Sequence, residues 1–374
     1  MKKQRQSNLE LLRIISMLMI VSMHLVNHGG LIDLAQAGTL SYYFVWTLFG
    51  VSFVSINLYL LISGYFLVDT KFSTWKLARL GGQVFFYSFG ITMLFWLFGK
   101  APKDLETFVR SALPVGSDFY WFISMYVGMY LLAPVMNRLI RALTKRQMEC
   151  AMALSFVLVS VWPNILYFSS ALNTAGGVSI SWFLTVYLFG AYLKLYYRPD
   201  GKFAKKMLPA VGVSLLIPFS RFVIELLLHT PLGKIAVLDD LMWGYSIFYN
   251  YSSILAGAAA FLWFLAFLNL RVAPGRLSRG IVAVAKTAFG VYLIHDHLYI
   301  RESLWGRMGC ASWLGKWYLP FAVAGAVFFV YAACALIEAL RQLLFVPLDQ
   351  NRKLKGFFER LDERLYRIWK EEKR

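Results

Sequence analysis

The chain has 374 residues, of which 59% are hydrophobic and only 16% charged, where a soluble domain carries about 25% charged residues. Its mean hydropathy is +0.58. Apolar runs recur at the length that about 30 Å of hydrocarbon demands. The composition excludes a soluble domain, and the period-two alternation of a transmembrane β-barrel is absent. The reading is an all-α polytopic membrane protein. The formal charge of +18 is what basic residues gathered on the cytoplasmic side produce, so no nucleic-acid partner is expected.

About ten spans are predicted, near residues 9–27, 44–67, 80–98, 119–139, 148–168, 180–197, 207–228, 243–267, 281–300 and 318–345. "MKKQRQSN" precedes the first, and no small-residue cleavage site follows it, so that span reads as uncleaved with a cytoplasmic N-terminus. Inside it lie Glu10, Arg13 and His24. Eleven helical steps separate Arg13 from His24 by about 16 Å along the axis but only about 20° around it, so the two share a stripe. Ionisable groups in a span are costly and favour the bundle interior. His24 can act as a general base near neutral pH, or be a hydrogen-bonded packing histidine. Arg13 can grip a phosphate or carboxylate, or snorkel to the interface; Glu10, one turn earlier, can pair with it. His28 would make a His-x3-His pair with His24, but the sequence offers no third ligand and no metal is expected.

The second span ends in "LYLLISGYFL", where Ser63 and Gly64 allow close backbone approach. Lys71, Lys76 and Arg79 follow it; they suit an anionic ligand such as the phosphates of coenzyme A, or mark topology alone. At the fourth span Asp118, Tyr120, Trp121 and Tyr126 cluster, as an interfacial aromatic belt or a carbohydrate site would. Arg221 and Glu225, one turn apart in the seventh, are expected to pair. His295, Asp296 and His297 close the ninth at the level of His24. Cys150, Cys310 and Cys334 are scattered and read as packing residues. In the tail, Leu354, Phe358, Leu361, Leu365 and Trp369 recur at helical spacing with basic residues opposite, an amphipathic helix suited to the inner leaflet. With the N-terminus inside, inner segments collect about 29 of the Lys and Arg residues and outer ones about 7. Ten spans with both termini cytoplasmic satisfy that asymmetry, with residues 1–345 forming the membrane domain and 346–374 the basic tail.

The motif Glu-x2-Arg-x10-His in the first of about ten spans resembles the integral-membrane acyltransferase 3 family. "ISGYFL" resembles its Ser-Gly segment, "WFISMYVGMYLLAPVMNRL" its Trp-Phe segment and "FGVYLIH" its late helix ending in histidine. The likeness runs from about residue 7 to 345. Where many members carry an arginine-rich stretch followed by proline, "KLARLGG" keeps Lys76 and Arg79 without the proline.

The resemblance implies transfer of an acyl group, most often acetyl, from cytoplasmic acyl-CoA (acetyl-CoA) to a hydroxyl of a surface or secreted carbohydrate. It also implies a bacterial plasma membrane and no permanently bound cofactor. The family's functional residues fall on His24, Arg13 and Glu10. Coupled to the residue reading, donor binding is expected at Arg13, Lys76, Arg79, Ser63 and Gly64, and acceptor binding at Tyr120, Trp121, Tyr126 and His295. His24 would deprotonate the acceptor or be acylated as a relay. The rival readings are a lipid-linked glycan transporter and a non-enzymatic assembly protein.

Overall fold

A computed structural model describes residues 6–117, 119–166, 174–231 and 248–371. Among them the chain is helical, with no strand. We label the principal helices α1 (Ser7–His28), α2 (Leu40–Leu67), α3 (Thr74–Leu97), α4 (Trp121–Ala142), α5 (Lys145–Ile165), α6 (Ile180–Tyr196), α7 (Phe203–Leu228), α8 (Ile254–Leu268), α9 (Arg276–His295), α10 (Leu319–Leu344) and α11 (Arg352–Glu371). Eight of them are long and apolar enough to cross a membrane; α6 and α8, at 17 and 15 residues, are shorter, and α11 is amphipathic.

Polar side chains start several helices where the apolar runs begin. Thr39 accepts from the Tyr42 amide, Ser179 from Trp182 and Ser253 from Ala256, satisfying amides that a helix start leaves open. Thr144 and Gln147 form a reciprocal capping box before α5. Three of the expected boundaries move for local reasons. Among the described residues from 248 on, the run expected from 243 becomes helical at Ile254, after the Ser253 cap; residues 243–247 lie outside the described residues. The ninth helix starts at Arg276 and ends at His295, and a separate helix, Leu298–Arg307, takes up the rest.

α1 and α2 are the most buried spans. α1 packs against α2, α8, α9 and α10, and α2 against α1, α6 and α8. Glycines set two of these contacts. A Cβ on Gly64 of α2 would lie 2.2 Å from the Tyr187 carbonyl oxygen of α6, and one on Gly190 of α6 would lie 2.4 Å from the Leu61 oxygen, so only glycine permits the crossing. Similarly, a Cβ on Gly290 of α9 would meet the Glu338 side chain of α10 at 2.4 Å. Outer helices keep apolar faces exposed, among them Leu131, Val135 and Leu139 on α4 and Phe321, Phe328 and Leu336 on α10. In water these patches would drive association; in lipid they are the solvated surface.

The tail helix also contacts the bundle. α11 docks on the start of α3: Thr74 donates from its amide and hydroxyl to Asp362 Oδ1 at 2.8 and 2.7 Å, and the Trp75 ring packs tilted against Phe358. Leu354, Phe358 and Leu365 are half-buried, whereas Phe357 and Leu361 stay exposed. Part of the apolar stripe is thus spent on the protein itself, because α3 offers Thr74 and Trp75 in the matching register. The side chain of Trp369 lies outside the described ones.

Candidate active site

A cavity of about 700 Å³ runs between α1, α2, α3, α4, α9 and α10. One end is framed by Arg79, Lys286, Gln342 and Asp349, residues near the start of α3, within α9, in the last turn of α10 and just after it. From there it passes Arg13, Tyr59 and Ser63 and reaches His24, Trp121 and Tyr251. Arg13 and His24 therefore share the interior face of α1, as the helical spacing requires.

Arg13 is held from both sides. Its Nη1 donates to Glu10 Oε2 at 2.5 Å, with Glu10 buried behind it, and its backbone carbonyl accepts from the Tyr59 hydroxyl at 3.1 Å. A buried carboxylate fixes the guanidinium without closing its remaining donors. Deeper in the same end, Glu338 is 1% exposed and accepts from Tyr87, Gln83, Gln342 and, through both oxygens, Arg341. This charge is tolerable inside the bundle because its acceptor sites are filled. Arg79 pairs with Asp349 at 2.6 Å across the opening, and exposed Lys286 lines the same mouth.

At the other end the imidazoles form a chain. His295 Nδ1 lies 2.6 Å from the Val291 carbonyl, which can only accept, so that nitrogen carries a proton. A neutral His295 then accepts at Nε2, which lies 3.0 Å from His24 Nδ1. His24 Nδ1 must be the donor, and its Nε2 is left with a free lone pair. Tyr292 lines the cavity in this region, and its buried hydroxyl, close to the Asp296 carboxylate, makes no hydrogen bond of good geometry with a described residue. Trp121 and Tyr251 stack with centroids 5.7 Å apart and also line the wall.

Of the residues singled out from sequence, Arg13, His24, Ser63, Arg79, Trp121 and Tyr126 line the cavity. Others sit elsewhere. Gly64 meets the α6 backbone. Lys76 is exposed, outside the described cavity wall. The Tyr120 ring is fully buried, and its hydroxyl donates to the Leu293 carbonyl at 2.6 Å, anchoring α4 to α9. His295 stands behind His24. His297, placed by its spacing at the same level, turns to α3, where its Nε2 lies 3.1 Å from the Ser88 carbonyl. Arg221 and Glu225 approach to 3.8 Å as expected, but Tyr42 lies between them, donating to Glu225 and accepting from Arg221. Asp118 lies outside the described residues.

The structure supplies the third ligand that the sequence did not offer to His24 and His28: Asp296 brings the three donor sets within 4.8 Å of one another. The Asp296 carboxylate also faces Arg301 Nη1 at 3.4 Å, and that guanidinium takes up the charge a cation would need. Sequence reasoning passed over Tyr59, Gln83, Tyr251, Lys286, Tyr292 and the Glu338–Arg341 pair. For Glu338 and Arg341 the signal was present, since an acid and a base one turn apart inside an apolar span meet the criterion that drew attention to Arg13.

These features define a multi-pass membrane protein whose bundle encloses a largely apolar cavity, with a fixed guanidinium at one level and an oriented imidazole at another. The chain belongs to the acyltransferase 3 family, whose profile for an acyltransferase domain matches residues 6–338. It is thus a membrane acyltransferase. Neither a curated protein nor a solved structure matches it.

Proposed function

We propose that the protein transfers an acyl group, acetyl in the first instance, from cytoplasmic acyl-coenzyme A to a carbohydrate hydroxyl presented at the opposite membrane face. In this reading ten helices span a bacterial plasma membrane with both termini cytoplasmic. Residues 1–345 carry the chemistry and 346–374 form the inner tail. The observation that carries it is the single cavity whose wall holds both Arg13 and His24.

The donor's phosphates meet Arg79, Lys286 and Arg13 at the cytoplasmic end, with Lys76 on the approach. The pantetheine arm follows the α1 stripe, so the thioester reaches His24 about 16 Å further along the axis. Ser63 borders this path, and Gly64 contributes from behind the wall, by letting α6 pack closely against α2. Trp121 and Tyr126 offer ring faces to a sugar, while Tyr120 and His295 act from behind the wall. His24 Nε2 takes the acceptor's proton as its oxygen attacks the thioester carbonyl. The C–S bond breaks, an ester C–O bond forms, and the proton leaves with the coenzyme A thiolate. Tyr292 can donate to the carbonyl oxygen as negative charge develops there. The transporter reading loses its footing once the chain is an acyltransferase.

The test is purified protein with acetyl-coenzyme A and a surface polysaccharide, read as ester-linked acetyl by mass spectrometry. The wild type acetylates the glycan. His24→Ala lowers the rate by about 10²- to 10⁴-fold while the protein still inserts. Undiminished transfer by that variant would overturn the reading.

A further inference from the structure

A second cavity, of about 620 Å³, lies between the ends of α2 and α4 and the tail helix α11. It is separate from the acyl-transfer cavity and shares no wall residue with it. Its lining is of two kinds. Leu67, Phe72, Leu131, Pro134, Leu365 and Tyr366 make an apolar and aromatic wall, and Lys71, Arg138 and Arg141 supply three cations.

Two acids also line it, but both are engaged. Asp69 lies 3.8 Å from Lys194, and Asp362 is turned into its two hydrogen bonds with Thr74. Arg141 donates to the Val68 carbonyl at 3.2 Å, which orients it and leaves other donors open. Lys71 sits over the Tyr366 ring at 5.9 Å. Arg138 has no hydrogen bond or ion pair with a described residue. The pocket is therefore positively charged, at the end of the bundle where α2 stops and α3 starts.

Its surroundings say which kind of anion fits. Leu131 belongs both to the pocket wall and to the exposed apolar strip of α4 that continues through Val135 and Leu139. A basic pocket that opens onto a lipid-facing strip suits a molecule with a phosphate head and hydrocarbon tails. Charges that only set topology need no such pocket.

We infer that this cavity is a binding site for an anionic phospholipid of the inner leaflet, its phosphate held by Lys71, Arg138 and Arg141 and its chains laid along α4. Because Asp362, Leu365 and Tyr366 of α11 form one wall, the bound lipid also holds the tail helix against the bundle. The site is independent of the acyl-transfer chemistry.

Full-length protein, delipidated in detergent, is titrated with phosphatidylglycerol or phosphatidylcholine and read by native mass spectrometry. The wild type retains one phosphatidylglycerol in preference to phosphatidylcholine. Lys71→Gln and Arg138→Gln, each at an exposed side chain, lower phosphatidylglycerol affinity about fivefold per charge removed and leave phosphatidylcholine unchanged. Arg276→Gln with Arg279→Gln, an equal charge loss outside the pocket, preserves the preference. Three results would overturn the inference: pocket variants that keep wild-type affinity, control variants that weaken binding equally, or inorganic phosphate displacing the lipid at matched concentration. Size-exclusion profiles and acetyl-coenzyme A binding report that each variant is folded.

Discussion

At the scale of single residues, the proposed transfer rests on which nitrogen of His24 holds the proton. The Val291 carbonyl, His295 and His24 settle that in sequence, each fixing the next. His295→Ala should cut kcat about a hundredfold, the order an orienting partner of a histidine contributes, with KM for the donor little changed. An equal loss through KM would mean that His295 acts on binding instead. Tyr292→Phe removes a buried hydroxyl that makes no hydrogen bond of good geometry and should lower kcat by about 10²-fold without loss of folded protein; an unchanged kcat would give the hydroxyl no part in transfer. Arg13 and His24 were legible in the sequence because both ride on one helix, where spacing alone determines a shared face. His295 was legible as a histidine at the same level, but not its place behind His24. The partnerships of Glu338 with Tyr87 and of Asp296 with Arg301 join distant or turning segments, and periodicity carries no information about them.

At the scale of helices, one contact supports the bundle behind the cavity and another spans the cavity's mouth. The α2–α6 crossing depends on Gly64 and Gly190, and Gly64→Val should destabilise the bundle by about 1–3 kcal/mol or more, since the backbone it meets cannot withdraw. Detergent-resistant folded yield, followed on heating, checks this. The Arg79–Asp349 pair bridges α3 and the segment after α10, and in the proposed mechanism the acid competes with an incoming phosphate for the guanidinium. The pair is half-exposed and worth at most about 1 kcal/mol. Asp349→Asn should accordingly lower KM for acetyl-coenzyme A by about two- to fivefold, and Arg79→Gln should raise it. Helix identities were legible from apolar run length. Starts and stops were less so, because caps such as Ser253 and the break after His295 are decided by one or two polar residues. Docking of α11 on α3 was not legible either, since an amphipathic stripe states that an apolar surface exists and not whether lipid or protein covers it.

At the scale of the whole molecule, exposed apolar faces on the outer helices and a buried α1–α2 centre belong to a bundle solvated by lipid. The proposed orientation places the segment between α5 and α6 outside the cytoplasm, so a reporter enzyme fused at Gly176 should show periplasmic activity; a cytoplasmic signal would reverse the sidedness of donor and acceptor. In the proposed mechanism one cavity delivers a thioester from Arg79 past Arg13 to His24. The most direct measurement is a cryo-electron microscopy map of the full-length protein with coenzyme A bound. The account predicts phosphates against Arg79 and Lys286, the pantetheine arm along the Arg13 face of α1, and the sulfur at the level of His24. Density for the nucleotide outside this cavity, or an arm directed away from His24, would contradict it.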